Sequence, residues 1–157
     1  MALFRNRRIT RTKAGTIKIS LPESEIDLLR HLLPQLRELL TDGSDERLRR
    51  LFPTAYVDDI EAQAEFERLM HDDLVASRLA AITTVEESLG IDEITEDQLE
   101  AWMSSVNSVR LVLGTMLDAS EELELDTIAE DDPNIEGYVL YGYLGYLLDE
   151  MVAVALG

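Results

Sequence analysis

TEDQLEAWMSSVNSVRLVLGTML, residues 95–117, is the stretch on which the reading of the chain turns. Thr95 followed by Gln98 is a capping box, in which each side chain satisfies the other residue's free backbone N–H. Leu99, Trp102, Met103, Val106, Val109, Leu113 and Leu117 then recur at helical spacing. From Val109 onward the run is apolar on every side (Leu111, Val112, Leu113, Met116, Leu117). A helix with no solvated face has to be surrounded by other helices. The reading is therefore an all-α fold, a bundle of about five helices around a central buried helix at 95–117.

On the N-terminal side of that helix, Val57 to Leu89 gives the longest helical pattern, closed by Gly90 as a C-terminal cap. Ile60, Ala64, Phe66, Met70, Leu74, Ala81, Ile82, Val85 and Leu89 carry its apolar stripe. Before it, a short helix over Asp45 to Phe52 turns Leu48, Leu51 and Phe52 inward and Arg47, Arg49 and Arg50 outward, and Pro53 stops it. The first helix opens at Ser20, with Pro22 in its first turn and Glu23 closing a second capping box. Ile26, Leu29, Leu32, Leu33, Leu36, Leu39 and Leu40 form its stripe, Pro34 should kink it, and Asp42-Gly43-Ser44 ends it. On the C-terminal side, Asp118 to Pro133 is an acidic, solvated loop with room for one short helical turn, and a last helix covers Asn134 to Leu156. The N-terminal residues 3–21 read as a β-hairpin, because Ile17, Ile19 and Leu21 alternate with polar residues and Ala14-Gly15 supplies a turn. A bulge, or a short strand beginning near Arg7, reconciles the opposite parity of Phe4 and Ile9. At 157 residues the chain reads as one domain, 1–157, with a basic hairpin (1–21) and a helical body (22–157).

Charge is distributed unevenly. Arg5, Arg7, Arg8, Arg11, Lys13 and Lys18 fall in the first 18 positions, where there is no acid. The remainder has eight basic against 32 acidic residues, a formal charge of −24. Such a body repels phosphate backbones and favours cationic or neutral partners. Arg5, Arg7, Arg8, Arg11 and Lys18 are the candidate partner-binding residues, on a hairpin suited to an acidic helical surface, its own or another chain's. The single hairpin aromatic, Phe4, and the acidic body argue against nucleic acid.

No catalytic constellation is recognised, so the chain reads as a non-enzyme. It has no cysteine, hence no thiolate metal site or thiol nucleophile, and a cytoplasmic setting fits. It has no Gly-rich phosphate loop, no Gly-x-Ser-x-Gly elbow and no zincin pair. Asp27/His31 and Glu67/His71 each share a helix face, but helical di-iron sites need Glu-x-x-His twice plus two further carboxylates, so neither a metal nor another cofactor is expected. Asn107 and Arg110 share one face of the central helix with Gly114. Together with Arg78, Asp149 and Glu150 they are read as a buried polar cluster. Arg110 is either an ion pair locking helices, with Asp149 or Glu150 as partner, or an anion site. The start, MALFRNRRITRTK, carries charges where the apolar core of a secretory signal belongs. The apolar tail Gly137 to Gly157 holds Asp149 and Glu150, each costing about 2.5 kcal/mol or more at a bilayer centre, so it reads as a buried helix rather than a membrane span. Gly142 and Gly145 among Tyr138, Tyr141, Tyr143 and Tyr146 suit either core packing or a homodimer seam.

The segments LLRHLLPQLRELL, RLFPTAYVDDIEAQAEFERL, AWMSSVNSVRLVLGTML and YLGYLLDEMV resemble the actinobacterial domain-of-unknown-function family 2017 over nearly the whole chain. The series Trp102, Asn107, Arg110, Leu111, Gly114 is its most specific part. Asn107-Ser108 departs from the Asn-Asp often found there. The resemblance implies an actinobacterial cytoplasmic protein without an established activity. It also implies a possible link to the Clp protease machinery and regulated proteolysis, and some members are labelled transcriptional regulators. The expectation is a protein-interaction or adaptor-like protein. The alternative is a regulator that binds nucleic acid through the basic hairpin.

Overall fold

The structure, a computed structural model, describes residues 8–43, 45–52, 56–119 and 124–157. Among the described residues, four α-helices and a six-residue 3-10 helix pack together, with a small three-stranded antiparallel sheet at one end. In chain order these are β1 (Ile9–Arg11), β2 (Ile17–Ile19), α1 (Glu23–Asp42), the 3-10 helix Glu46–Leu51, α2 (Ile60–Ser88), β3 (Glu93–Ile94), α3 (Glu96–Leu117) and α4 (Ile135–Ala155). One 3-10 turn, Leu125–Thr127, interrupts the acidic loop.

α3 is central, as its apolar circumference requires, and contacts α1, α2, the 3-10 helix and α4. Its capping box is formed, with the Thr95 side chain accepting from the Gln98 N–H and the Gln98 side chain accepting from the Thr95 N–H. Leu99, Trp102, Val106, Val109 and Val112 are buried, whereas Met116 reaches the surface. Trp102 is 1% exposed, and its indole N–H donates to Ser88 Oγ at 2.8 Å. That bond couples the amino half of α3 to the end of α2 and satisfies the one donor that a buried indole carries.

The hairpin packs on its own body. Ile9 pairs with Ile19 and Arg11 with Ile17, and both β2 isoleucines and Ile9 are buried. The strands are shorter than the 3–21 span expected, and residues 1–7, including Arg5 and Arg7, lie outside the described residues. Gly15 takes φ +89° in the turn, a conformation that L side chains resist. A third strand, not expected from sequence, pairs Ile17 with Ile94 and Lys18 with Glu93. At two residues β3 is too short to show a period, and it exists because the hairpin offers it an edge.

One other expectation at α1 is corrected. The helix starts at Glu23 with Pro22 as its cap and no side-chain capping bond, so the Ser20–Glu23 box does not form. It also runs unbroken through Pro34. Pro34 lies on the exposed side, where a carbonyl deprived of its N–H partner is open to water. Helix α1 ends on Gly43 at φ +73°, whose N–H bonds to the Leu39 carbonyl. Arg37 clamps α1 to α2, pairing with Glu86 through both terminal nitrogens.

Ser88→Ala strands the Trp102 indole N–H in the core without an acceptor. The expected cost is about 1–3 kcal/mol, read as a lower urea midpoint at unchanged slope.

Candidate functional site

α2 is only partly covered. Its buried residues are Ile82, Val85 and Ser88, all near its end, and from Ile60 to Ala81 no residue is buried. The stripe Ile60, Ala64, Phe66, Met70, Leu74 therefore does not enter the core. Ile60 is 87% exposed, Leu69 59% and Met70 38%, and Tyr56 and Val57 just ahead of the helix are exposed as well. Asp59 caps this end, its carboxylate accepting from the Ala62 N–H at 3.0 Å.

Beside the exposed half of α2 lies a cleft of about 350 Å³, walled on the other side by the 3-10 helix. Phe52, Phe66, Met70 and Leu74 supply its apolar lining and Asp45, Glu46, Glu67 and Arg49 its rim. The Phe52 ring lies against His71 at 4.9 Å, and Tyr56 meets Phe66 edge-on at 6.2 Å.

The wall is held in place by its own polar residues. Asp45 accepts from the Arg47 backbone N–H at 2.8 Å and from its guanidinium at 2.9 and 2.6 Å. These bonds, led by the side-chain one, pull the Asp45 carboxyl down to about 2. Leu48 and Leu51 anchor the 3-10 helix in the core, while Arg49 stays exposed. Arg78 bridges three elements, donating to the Leu51 carbonyl at 3.0 Å and to Ser108 Oγ at 2.9 Å. Its burial pushes the guanidinium pKa below the usual range.

The other residues singled out in sequence fall into separate places. Arg110 lies with its guanidinium carbon 4.8 Å from the centre of the Tyr141 ring, a cation–π contact. A Cβ at Gly145 would come 3.4 Å from Arg110 Nε. One at Gly114 would meet Arg50 Nη1 at 2.9 Å and Tyr141 at 3.0 Å. Gly114 thus admits side chains from the 3-10 helix and α4 rather than another backbone. Asn107 is half-buried on α3, and Asp149 is exposed on α4. Glu150 accepts from the Tyr146 hydroxyl at 3.3 Å and lies near Arg8 and Tyr143. Arg78 and Arg110 thus meet different groups, the Leu51 carbonyl and Ser108 for the one and the Tyr141 ring for the other. Glycines 137 and 145 of α4 face Leu117 and Arg110 of α3, so both are used inside the fold.

Of the basic hairpin residues, Arg8 pairs with Glu25 at the start of α1. Arg11 pairs with Glu96 at the start of α3 and donates to the Val154 carbonyl at 3.0 Å. The Glu25 contact raises the Arg8 pKa, and burial, followed by Glu25, pushes the Tyr143 phenol above its ordinary range. Lys18 is exposed, opposite Glu93. Of the two histidine pairs, Asp27 bonds to Arg30 at 2.6 Å, Glu67 to Gln63 at 2.9 Å, and His71 lies on Phe52. Among the described residues no three or more His, Asp and Glu side chains are grouped to hold a metal ion, and no helix is long and apolar enough to cross a membrane.

The sequence of α3 and its surroundings, placed on this fold, agrees with a family model described as "Domain of unknown function (DUF2017)", which matches residues 4–155. The chain belongs to that family. Over 130 residues it is also 30% identical to proteins called "Oxidative stress regulator AosR" from Mycobacterium bovis and from two strains of Mycobacterium tuberculosis. The match covers 72% of this chain but 59% of those relatives, so the chain spans about six tenths of their length. No solved structure matches it.

The sequence signal for the cleft was present but ambiguous. A helix stripe flanked by Asp58, Asp59, Glu61, Glu65, Glu67, Asp72 and Asp73 has the same periodicity whether a neighbour covers it or not.

The lowered Asp45 pKa sets a pH dependence. A carboxyl held below its unfolded value of about 4 adds stability that is fully present above that value and is lost as pH falls toward 2. The stability difference between the wild type and Asp45→Asn is therefore expected to be flat above about pH 4 and to shrink below it. A urea-unfolding series from pH 7 to pH 2 measures it, and a difference that grows on acidification contradicts the assignment.

Proposed function

We propose that this chain is a non-enzymatic regulatory protein that acts by protein–protein contact, with the exposed half of α2 and the adjoining cleft as its contact surface. The observation carrying this reading is the run of α2 from Ile60 to Ala81 without a buried residue, together with its exposed Ile60, Leu69 and Met70. Exposed apolar side chains beside a cleft, here Leu69 and Met70, mark interaction sites. Aromatic residues and methionine, both lining the cleft, are enriched at interfaces. A regulatory role is in keeping with the name of the mycobacterial relatives.

The 157 residues contain no cysteine, so an oxidant signal would reach this chain through methionine or through another molecule rather than through a thiol–disulfide switch of its own. A cytoplasmic setting belongs to the proposal and rests on the cysteine-free composition and the family. A place in regulated proteolysis, with the Clp machinery as partner, rests on the family resemblance alone.

The alternative, nucleic-acid binding through the hairpin, is weakened by the engagement of Arg8 with Glu25 and of Arg11 with Glu96. A cation already paired inside the fold releases fewer counterions on binding a phosphate backbone.

The two surfaces are separable by mutation. Leu69→Asn with Met70→Asn is expected to abolish capture of protein partners from an actinobacterial lysate while leaving the thermal midpoint within about 1–2 °C, since exposed substitutions change stability little. Arg8→Glu with Arg11→Glu is expected to lower the thermal midpoint, because it sets like charges against Glu25 and Glu96. Nuclease-treated pull-downs and thermal melts of both variants read this out. Capture that survives the α2 pair and disappears with nuclease would transfer the function to the hairpin.

A further inference from the structure

We infer that the occupant of the α2 face is a cationic amphipathic helix supplied by another protein. This inference rests on the interaction reading above and adds the chemistry of the partner.

Its first support is shape. Ala62, Phe66, Leu69 and Met70 lie at i, i+4, i+7 and i+8, so they form a single stripe, and Leu74 continues that stripe into the cleft. From Ala62 to Leu74 the stripe extends for roughly 18 Å at 1.5 Å per residue, the length of a partner helix of about three turns. The cleft wall formed by Leu48 and Phe52 turns this stripe into a groove, which is the geometry that receives the apolar face of an amphipathic helix. Methionine in such a groove adapts to differing apolar side chains.

Its second support is charge. Between Asp58 and Asp73 there are seven acids and one base, Arg68, which is itself paired with Glu65 at 2.6 Å. Glu65 and Asp72 border the stripe on one side and Glu67 on the other, while Asp73 stands within it, one turn after Leu69 and Met70. A helix seated on the stripe thus has carboxylates along both of its flanks. Lysine and arginine there complement them, and acids there are repelled. The same charge argues against a second copy of this chain. Two such faces would bring together two sets of seven acids on chains of formal charge −18. A partner with basic flanks and an apolar stripe satisfies both features of the surface.

The test uses the full chain and three synthetic 18-residue peptides. The first has leucines at helical spacing with Lys and Arg elsewhere. The second keeps the leucines and replaces the cations with Glu and Gln. The third has the composition of the first with the leucines scrambled off the stripe. Fluorescence anisotropy is expected to show binding of the first at least tenfold tighter than of the third, and no binding of the second. Leu69→Asn with Met70→Asn is expected to weaken the first at least tenfold, whereas Val139→Asn on exposed α4 leaves it unchanged. Glu65→Gln, Glu67→Gln and Asp73→Asn together are expected to weaken it and flatten its dependence on salt. Equal binding of the first and third peptides, or indifference to the α2 substitutions, overturns the inference. So does a dimer in sedimentation that Leu69→Asn with Met70→Asn dissolves, which would make a second copy the occupant. If lysate capture depends on Leu69 and Met70 while the peptides do not discriminate, the cationic helix falls and the interaction reading stands. If capture is indifferent as well, both fall.

Discussion

The hydrogen bond from the Trp102 indole to Ser88 sits where the fold has least freedom. It joins α3, the helix that must be covered on all sides, to the only part of α2 that is fully buried. Around this point the remaining elements are placed by need. Ile82 and Val85 of α2 close one side, Leu144, Leu147 and Met151 of α4 another, and α1 and the 3-10 helix fill the rest with leucines. The sheet covers the end where the amino terminus of α3 emerges, with Ile9, Ile17, Ile19 and Ile94 turned inward. Each fully buried side chain of this size contributes about 1.5–3 kcal/mol, against the entropy of ordering it.

Arginine does most of the polar joining between elements. Arg8 ties the hairpin to α1, Arg11 ties it to α3 and α4, Arg37 ties α1 to α2, and Arg78 ties α2 to the 3-10 helix and α3. A planar guanidinium with several fixed donors can bridge two acceptors at once, which lysine cannot do with the same geometry. The chain contains only two lysines. Cations engaged in this way leave the acids as the dominant charge facing solvent. The split seen along the sequence, a basic head and an acidic body, is thus partly cancelled in three dimensions, as Arg8 and Arg11 fold back onto Glu25 and Glu96.

The central helix was legible because its signals were local and redundant: a capping box, a seven-residue apolar series and a single Trp. The hairpin was legible from the alternation of residues 16–21 and the Gly15 turn. β3 was not, since two residues acquire strand geometry only by pairing with β2. The short helix was expected in the right place, but six residues do not distinguish a 3-10 from an α repeat, and the Asp45–Arg47 bonds that tighten it span only two positions. At the N-terminus of α1, Pro22 offers a preset φ and no N–H to cap, so the helix begins there without Ser20. For Arg110, spacing along its own helix cannot choose among distant elements, and the ring it lies over belongs to Tyr141.

The most instructive misreading concerns α2, where apolar periodicity was equated with burial. Periodicity establishes that a helix has an apolar face; what covers that face depends on the length of its neighbours. α1 has 20 residues and α2 has 29, so part of α2 extends beyond the helix clamped to it by Arg37. The overhanging half keeps helical form through local means: the Asp59 cap, the Gln63–Glu67 bond and the Glu65–Arg68 pair. Pairs of this kind contribute only about 0.2–0.5 kcal/mol each, and a helix of that length is marginal by itself in water. A segment with so little to hold it gains nothing for the fold by exposing Ile60, Leu69 and Met70 when polar residues would serve a solvated helix better. The proposed contact with another molecule would account for their presence, and the carboxylates bordering them would then determine which charge that molecule must bring.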